Sequence, residues 1–183
     1  MSRLPIQSVE TASGPTKEMF DALQKGLGMV PNMARVMGNS PATLRSWLQF
    51  NSALGGAELA APIREQIALL TAEINGCSYC LSAHTALGKM AGLAPNEIDA
   101  ARDGESADPR TQAALTFARR VLESRGGVDA SEVERVRSAG FSDREVAEIV
   151  AAVALNLFTN IFNRAFDVEI DFPLVEPKAC VTA

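Results

Sequence analysis

Histidine, tryptophan, tyrosine and cysteine are all scarce in this sequence. Its 183 residues include one His, one Trp, one Tyr and three Cys. Three cysteines are too few for the dense disulfide framework that staples small secreted domains. A domain of this length buries about 70% of the surface of its unfolded chain, so it folds without such staples or a structural metal.

An excess of basic residues is also lacking. The formal net charge is −5, which argues against a nucleic-acid groove and against binding to an anionic membrane surface. The most apolar region, 146–158, contains Glu148 and is shorter than the ~18–20 residues of a membrane span. No apolar stretch of signal-peptide length follows Met1–Pro5, so we expect a cytoplasmic protein. In that compartment a CxxC motif is more often catalytic or metal-binding than structural.

Alternating runs of β-branched residues are missing, and the turn signals are those of helices. Prolines stand where helices could begin, glycines stand where they could end, and apolar residues recur at spacings of three and four. We therefore predict an all-α single domain over residues 1–183 with about eight to ten helices. Only the tail 167–175 could form a short extended piece. The prolines are Pro15, Pro41, Pro62, Pro95 and Pro109, and the glycines are Gly28, Gly92, Gly104, Gly126 and Gly140.

An Arg-Glu pair opens two apolar helices, 80 residues apart, at Arg64-Glu65 and at Arg144-Glu145. The second pair belongs to the segment 142–145, which fits a capping box. Either an ancient duplication or two ordinary amphipathic helices would explain this echo, and the low identity favours the second explanation. The polar segment 102–109 is interpreted as a surface loop within one domain.

Two of the three cysteines and the only histidine lie within eight residues, at Cys77, Cys80 and His84. Gly76 is placed to separate a helix over 63–75 from a new helix that begins near Cys77. Residues three and four apart share a helix face, so the two thiols and the imidazole project together. Two thiols at this spacing can close a disulfide if their Cβ atoms approach to about 4 Å.

This grouping suits thiol redox chemistry. A thiolate, not a thiol, attacks a peroxide or a disulfide, and a free cysteine has a pKa of about 8.5. A helix N-terminus favours the thiolate and a nearby histidine accepts its proton. The sulfenic acid that forms on attack condenses readily with a neighbouring thiol.

Less specific interpretations of the same residues stay open at this point. Cys77, Cys80 and His84 could supply three ligands of a zinc site, although structural zinc prefers four. The cysteines could be inert buried thiols. Glu65, after Pro62, could simply favour the helix dipole.

The segments Arg64-Glu65 and 75–84 closely resemble the carboxymuconolactone-decarboxylase-like superfamily in its alkylhydroperoxidase-D-like branch. That branch has a glutamate twelve residues before the first cysteine of CxxC and a histidine four residues after the second, and this sequence matches at all four positions. The resemblance covers about residues 26–170, with the catalytic segment at 62–90. Further matches to the longer, peroxidase-related members are residues 28–32, Ser40-Pro41, Asn156, Asn160 and Asn163.

The resemblance implies an all-helical homotrimer or homohexamer that reduces hydroperoxides in antioxidant defence. Cys80 would attack the peroxide, Cys77 would resolve the sulfenic acid, and His84 with Glu65 would relay protons. The helix dipole alone would instead favour Cys77 as the more acidic thiol. No bound cofactor or metal is implied, but an external dithiol or protein reductant is required. The decarboxylase members lack the cysteine pair, so decarboxylation is not expected.

One position departs from the best-described alkylhydroperoxidases of this branch. They carry a histidine just before the second cysteine, where this sequence has Tyr79. A tyrosine with a pKa near 10 cannot shuttle protons at neutral pH as histidine does, which bears on the efficiency of peroxide turnover. The dithiol itself is unaffected by this difference.

Two other functions fit the same residues. The protein could be a general thiol-disulfide oxidoreductase, or a non-catalytic redox-sensing or zinc-binding oligomeric module. Apolar positions such as Ala151, Ala152 and Leu155 exceed what one core needs, which also predicts a homo-oligomer. Cys180, near the C-terminus, is interpreted as incidental.

Overall fold

The computed structural model describes residues 1–178, which contain nine α-helices and no β-strand. The all-α prediction of eight to ten helices is thus confirmed, and Cys180 lies outside the described residues. The helices are α1 (Gly14–Leu27), α2 (Asn32–Met37), α3 (Pro41–Gly55), α4 (Ala61–Ile74), α5 (Ser78–Met90), α6 (Pro95–Arg102), α7 (Pro109–Glu123), α8 (Ala130–Ser138) and α9 (Asp143–Phe166).

The helix ends follow the signals in the sequence. All five predicted prolines occupy one of the first two positions of a helix, where a missing N–H costs nothing. The Ser40 hydroxyl accepts a hydrogen bond from the Thr43 N–H at 3.3 Å, and the Asp108 carboxylate accepts one from the Thr111 N–H at 2.9 Å. Gly28 closes α1 with a left-handed φ of 76°. Segment 102–109 is the short connection from α6 to α7, as predicted.

Helix α4 is central, because it packs against α5, α6, α7 and α9. Two groups of buried side chains meet around it. The first group joins α1, α2, α3, α5 and α6 with one part of α4 and the C-terminal tail, and the second joins another part of α4 with α7, α8 and α9. Fully buried members of the first are Phe20, Leu44, Leu69 and Leu81, and those of the second are Ile67, Leu115 and Ile149.

Helix α9 extends beyond the apolar region 146–158 on both sides. By length and composition it could cross a membrane, and half of its most apolar window is buried inside the molecule. A core helix of a soluble protein meets the same description, so this is weak evidence for a span. Ala152 and Leu155 belong to that buried face, whereas other apolar side chains of the helix are exposed. Of the three positions that the sequence suggested, only Ala151 is partly exposed, and the most exposed apolar residues lie elsewhere on the helix.

Candidate dithiol site

The site begins at the turn that joins α4 to α5. Gly76 has a φ of 61°, a left-handed conformation that suits glycine. Cys77 follows as the N-cap of α5, and its Sγ accepts a hydrogen bond from the Cys80 N–H at 3.2 Å. The break predicted at Gly76 is present, and Cys77 precedes the helix instead of lying within its first turn.

The two cysteines of the CxxC motif lie within bonding distance. Their sulfur atoms are 2.18 Å apart and their Cα atoms 5.3 Å apart, so the structure describes the disulfide state. Cys77 is 1% exposed and Cys80 is 3% exposed. A reagent must therefore pass between the covering side chains to reach either sulfur.

His84 lies one turn after Cys80 and is paired with Glu65. The Nδ1 atom of His84 is 2.8 Å from Oε2 of Glu65, across the packed pair α4 and α5. Each side chain is about a fifth exposed. A carboxylate accepts the Nδ1–H bond, so this contact favours the imidazole tautomer whose Nε2 is a free base. Glu65 is in the second turn of α4, whose first turn contains no acidic residue, so helix capping does not explain it.

A buried amide from α9 contacts the sulfur of Cys80. Nδ2 of Asn163 lies 3.3 Å from Cys80 Sγ and 3.3 Å from Met33 Sδ. Asn163 is 3% exposed. The sequence marked this asparagine only through the family resemblance. Its contact with Cys80 joins residues 83 apart, and no local pattern encodes such a contact.

Other buried polar groups lie on α9, near Asn163 in sequence, and on α5. Asn160 is fully buried, and its Oδ1 accepts a hydrogen bond from the Asn75 amide at 3.0 Å. Across residues 1–178, three buried side-chain N or O atoms have no hydrogen-bond partner: Thr85 Oγ1, Asn160 Nδ2 and Asn163 Oδ1. Buried polar atoms are nearly always paired, so this group sets α5 and α9 apart from the rest of the core.

Tyr79 is buried and makes hydrogen bonds to two other parts of the chain. Its hydroxyl accepts from the Met33 N–H at 3.1 Å and donates to Asp171 Oδ1 at 2.8 Å. The ring packs edge-on against Phe172 at 5.8 Å. Burial raises the pKa of Tyr79, and the charge of Asp171 adds to this, so the phenol stays protonated. Tyr79 thus ties α2 and the C-terminal tail to α5.

The zinc interpretation of the cysteines and histidine can be compared with these contacts. The structure pairs Cys77 with Cys80 and His84 with Glu65. Within the part of the chain that the structure describes, no three His, Cys, Asp or Glu side chains are grouped so that they could hold a metal ion.

Comparison with protein families places the site in a known sequence pattern. The carboxymuconolactone decarboxylase family matches residues 41–124, which include Glu65, Cys77, Cys80 and His84. No curated protein matches the sequence.

Solved structures resemble the chain over almost its whole length. An uncharacterized peroxidase-related protein from Silicibacter sp. TM1040 is 25% identical, with a TM-score of 0.82 over 92% of this chain and 91% of that one. A peroxidase-related protein from Ralstonia eutropha JMP134, described as an alkylhydroperoxidase AhpD core, is 24% identical, with a TM-score of 0.84 over 93% and 92% of the two chains. The debrominase Bmp8, solved in complex with 2,3,4-tribromopyrrole, is 22% identical, with a TM-score of 0.76 over 92% and 91%.

Proposed function

We propose that the chain, whose residues 41–124 match the carboxymuconolactone decarboxylase family and whose fold is that of peroxidase-related proteins, is a cysteine-dependent peroxidase that reduces hydroperoxides through a dithiol-disulfide cycle. One observation carries this proposal. The sulfurs of Cys77 and Cys80 lie within bonding distance, one helical turn from an imidazole that a carboxylate orients.

The first step oxidises Cys80. His84 Nε2 accepts the thiol proton, and the Cys80 thiolate attacks the terminal oxygen of a hydroperoxide ROOH. The S–O bond forms as the O–O bond breaks, and the leaving alkoxide takes the proton from His84 to become ROH. Proton transfer of this kind typically contributes 10²–10⁴-fold to a rate. The step leaves a sulfenic acid on Cys80.

The second step forms the disulfide. The Cys77 thiolate attacks the Cys80 sulfur, the S–S bond forms, and the S–O bond breaks to release hydroxide, which is protonated to water. The hydrogen bond from the Cys80 N–H to Cys77 Sγ favours this second thiolate. An external dithiol then reduces the disulfide by thiol exchange and is itself oxidised to a disulfide.

The decisive experiment follows peroxide loss and protein thiols in the wild type and in each Cys→Ser variant. Cys77→Ser should consume one equivalent of hydroperoxide without turnover and leave a trappable sulfenic acid on Cys80. Cys80→Ser should lose the reaction. A sulfenic acid on Cys77 of the Cys80→Ser protein, formed at the wild-type rate, would instead make Cys77 the attacking residue.

The same assay separates the peroxidase from its alternatives. Turnover of a small disulfide with a dithiol, but no peroxide consumption, would indicate a general thiol-disulfide oxidoreductase. A single round of oxidation without catalytic turnover would indicate a redox sensor. If both cysteines stay reduced under oxidant, the dithiol function as a whole is wrong.

We further propose that the protein works as a homotrimer or homohexamer. The outward face of α9 carries Val150, Phe158 and Ile161, which are 41%, 36% and 59% exposed. The opposite face of the same helix is buried, and a helix that is apolar all round normally requires cover on every side. A second copy of the chain is the occupant that the family resemblance implies.

Light scattering at micromolar concentration tests the assembly. A trimer or hexamer of the 19.4 kDa chain is expected, and Ile161→Glu should shift it toward smaller species. Lys89→Glu, a charge change on exposed surface of another helix, is the control and should leave the mass unchanged. A wild-type mass of about one chain would contradict the proposal.

A further inference from the structure

The Asn163 amide faces two sulfur atoms with its nitrogen. Both N–H groups are directed at sulfur, since Nδ2 lies 3.3 Å from Cys80 Sγ and 3.3 Å from Met33 Sδ. The reverse orientation would place the amide oxygen against a disulfide and a thioether, neither of which has a proton to donate. The chemistry of the neighbours therefore supports the orientation that the structure shows.

The other end of the same amide has no partner. Asn163 is 97% buried, with 3% of its surface exposed, yet Oδ1 accepts no hydrogen bond from any residue in 1–178. Leaving a buried acceptor without a partner destabilises the fold unless a ligand or a reaction uses it. The Asn163 amide touches the sulfur of Cys80, and its oxygen has no partner in the disulfide state. This is the arrangement expected of an amide whose oxygen accepts a hydrogen bond from the hydroxyl of the substrate.

We infer that Asn163 is a further catalytic residue, whose N–H stabilises the Cys80 thiolate and whose carbonyl accepts a hydrogen bond from the hydroxyl of the incoming hydroperoxide and then of the Cys80 sulfenic acid. This inference rests on the proposed function for the identity of the attacking sulfur. It gives Cys80 a donor that Cys77 does not share, because Cys77 Sγ is instead paired with the Cys80 N–H at the helix N-terminus. Each sulfur of the pair thus has its own N–H donor.

The experiment measures the thiol pKa of Cys80 in a Cys77→Ser background, from the pH dependence of alkylation by iodoacetamide. Asn163→Leu removes the donor at similar volume, and Asn163→Asp replaces it with an oxygen at nearly identical shape. Both should raise the pKa of Cys80, Asn163→Leu by about one unit, which is the scale of one hydrogen bond to a charged group. Asn163→Asp should raise it further, because a carboxylate repels the thiolate.

Asn156→Leu is the matched control. Asn156 is also a buried asparagine of α9, but among residues 1–178 its amide donates only to the Ala152 carbonyl of its own helix, at 2.9 Å. This substitution should leave the pKa of Cys80 unchanged. An equal shift in both Leu variants would mean that any buried change in α9 moves the thiol, and it would overturn the inference.

A second measurement needs no change at position 163. In the Cys77→Ser protein, the side-chain amide resonances of Asn163 should move downfield in a ¹⁵N-correlated spectrum, with the same midpoint as ionisation of Cys80. Resonances that stay in place through that titration would overturn the inference, even if the variants fail to fold.

The outcomes for Asn163 and for the peroxidase are distinguishable. A raised Cys80 pKa in Asn163→Leu, without hydroperoxide turnover in the wild type, would keep the thiolate contact and reject the peroxidase. Turnover in the wild type with an unchanged Cys80 pKa in Asn163→Leu would keep the peroxidase and reject the role of Asn163.

Discussion

Glu65 and Glu145 each follow an arginine near the start of an apolar helix that packs in the core, yet they do different things. Glu145 is three residues after the N-cap Ser142, and it closes a reciprocal capping box with Ser142 while accepting from Arg110 at 2.5 Å. Glu65 is five residues after the N-cap of its helix and reaches His84 on the next helix. The position of a glutamate relative to its cap, and not the Arg-Glu pair itself, separates the stabilising residue from the candidate catalytic one.

The same contrast extends to the regions around these glutamates. At the start of α9 the polar groups satisfy each other through capping and ion pairs. Around the dithiol, by contrast, polar atoms of α5 and α9 are buried without partners. Proteins tolerate such unpaired groups where a ligand or reaction uses them, so the dithiol region is the one expected to respond to substitution in activity.

The largest expected effect is that of a substitution at Glu65 or His84 on the rate of thiol oxidation. Glu65→Gln or His84→Ala should slow peroxide-dependent oxidation of the dithiol by about 10²-fold, because oriented general-base assistance is lost. Glu145→Gln is the matched control and should leave the rate within about twofold of the wild type. Stopped-flow measurement of the oxidation rate of the reduced protein by hydroperoxide tests this prediction. Equal rates for Glu65→Gln and Glu145→Gln would show that the two glutamates do not differ in function.

A substitution at Tyr79 is expected to change the stability of the fold but not the rate of thiol oxidation. It tests whether every polar group near the dithiol takes part in the chemistry. Tyr79→Phe should lower the free energy of unfolding by about 1–3 kcal/mol, since the Met33 N–H and the Asp171 carboxylate each lose a buried partner. The rate of thiol oxidation should stay unchanged, because a phenol whose pKa burial has raised is not a proton donor to the sulfur chemistry.

Denaturant unfolding of the Tyr79→Phe protein measures the stability. The substitution keeps the ring that packs against Phe172, so the change belongs to the hydroxyl. A tenfold slower oxidation by hydroperoxide at unchanged stability would place Tyr79 among the catalytic residues.

The smallest effect is expected at the capping glutamate. Glu145→Ala should lower the free energy of unfolding by about 1 kcal/mol at pH 7, the usual scale of a lost cap, and Glu145→Gln by less because an amide still accepts at the cap. Burial acts to raise the pKa of Glu145, but the hydrogen bonds from Ser142 and Arg110 outweigh it, so the pKa is lowered in the folded state.

Because the pKa of Glu145 is lowered in the folded state, the direction in which its contribution to stability changes with pH is determined. A lowered pKa stabilises the fold above the unfolded value of about 4.3, and that contribution is lost as the pH falls. The difference in stability between the wild type and Glu145→Gln should therefore shrink below about pH 4. Thermal unfolding from pH 7 to pH 3 measures it, and a difference that grows on acidification would show that the charge of Glu145 does not stabilise the fold.

Several elements of the fold could be predicted because their causes are local. The prolines at helix starts, the caps Ser40, Asp108 and Ser142, and the glycine stops act within a few residues of the chain. The tail 167–178 is less predictable, since contacts that order it, such as that of Asp171 with Tyr79, join residues distant in sequence. It contains no strand among its described residues.

The sequence by itself determined the all-helical class, the break at Gly76, and the shared location of Cys77, Cys80 and His84, because helix spacing and backbone conformation are local properties. Only the tertiary structure decided that Glu65 meets His84, that Tyr79 is a buried tie to Asp171, and that Asn163 donates to Cys80. Each of these contacts joins different helices or a helix and the tail. Their partners are chosen by how α4, α5, α9 and the tail pack together, which no spacing along one segment specifies.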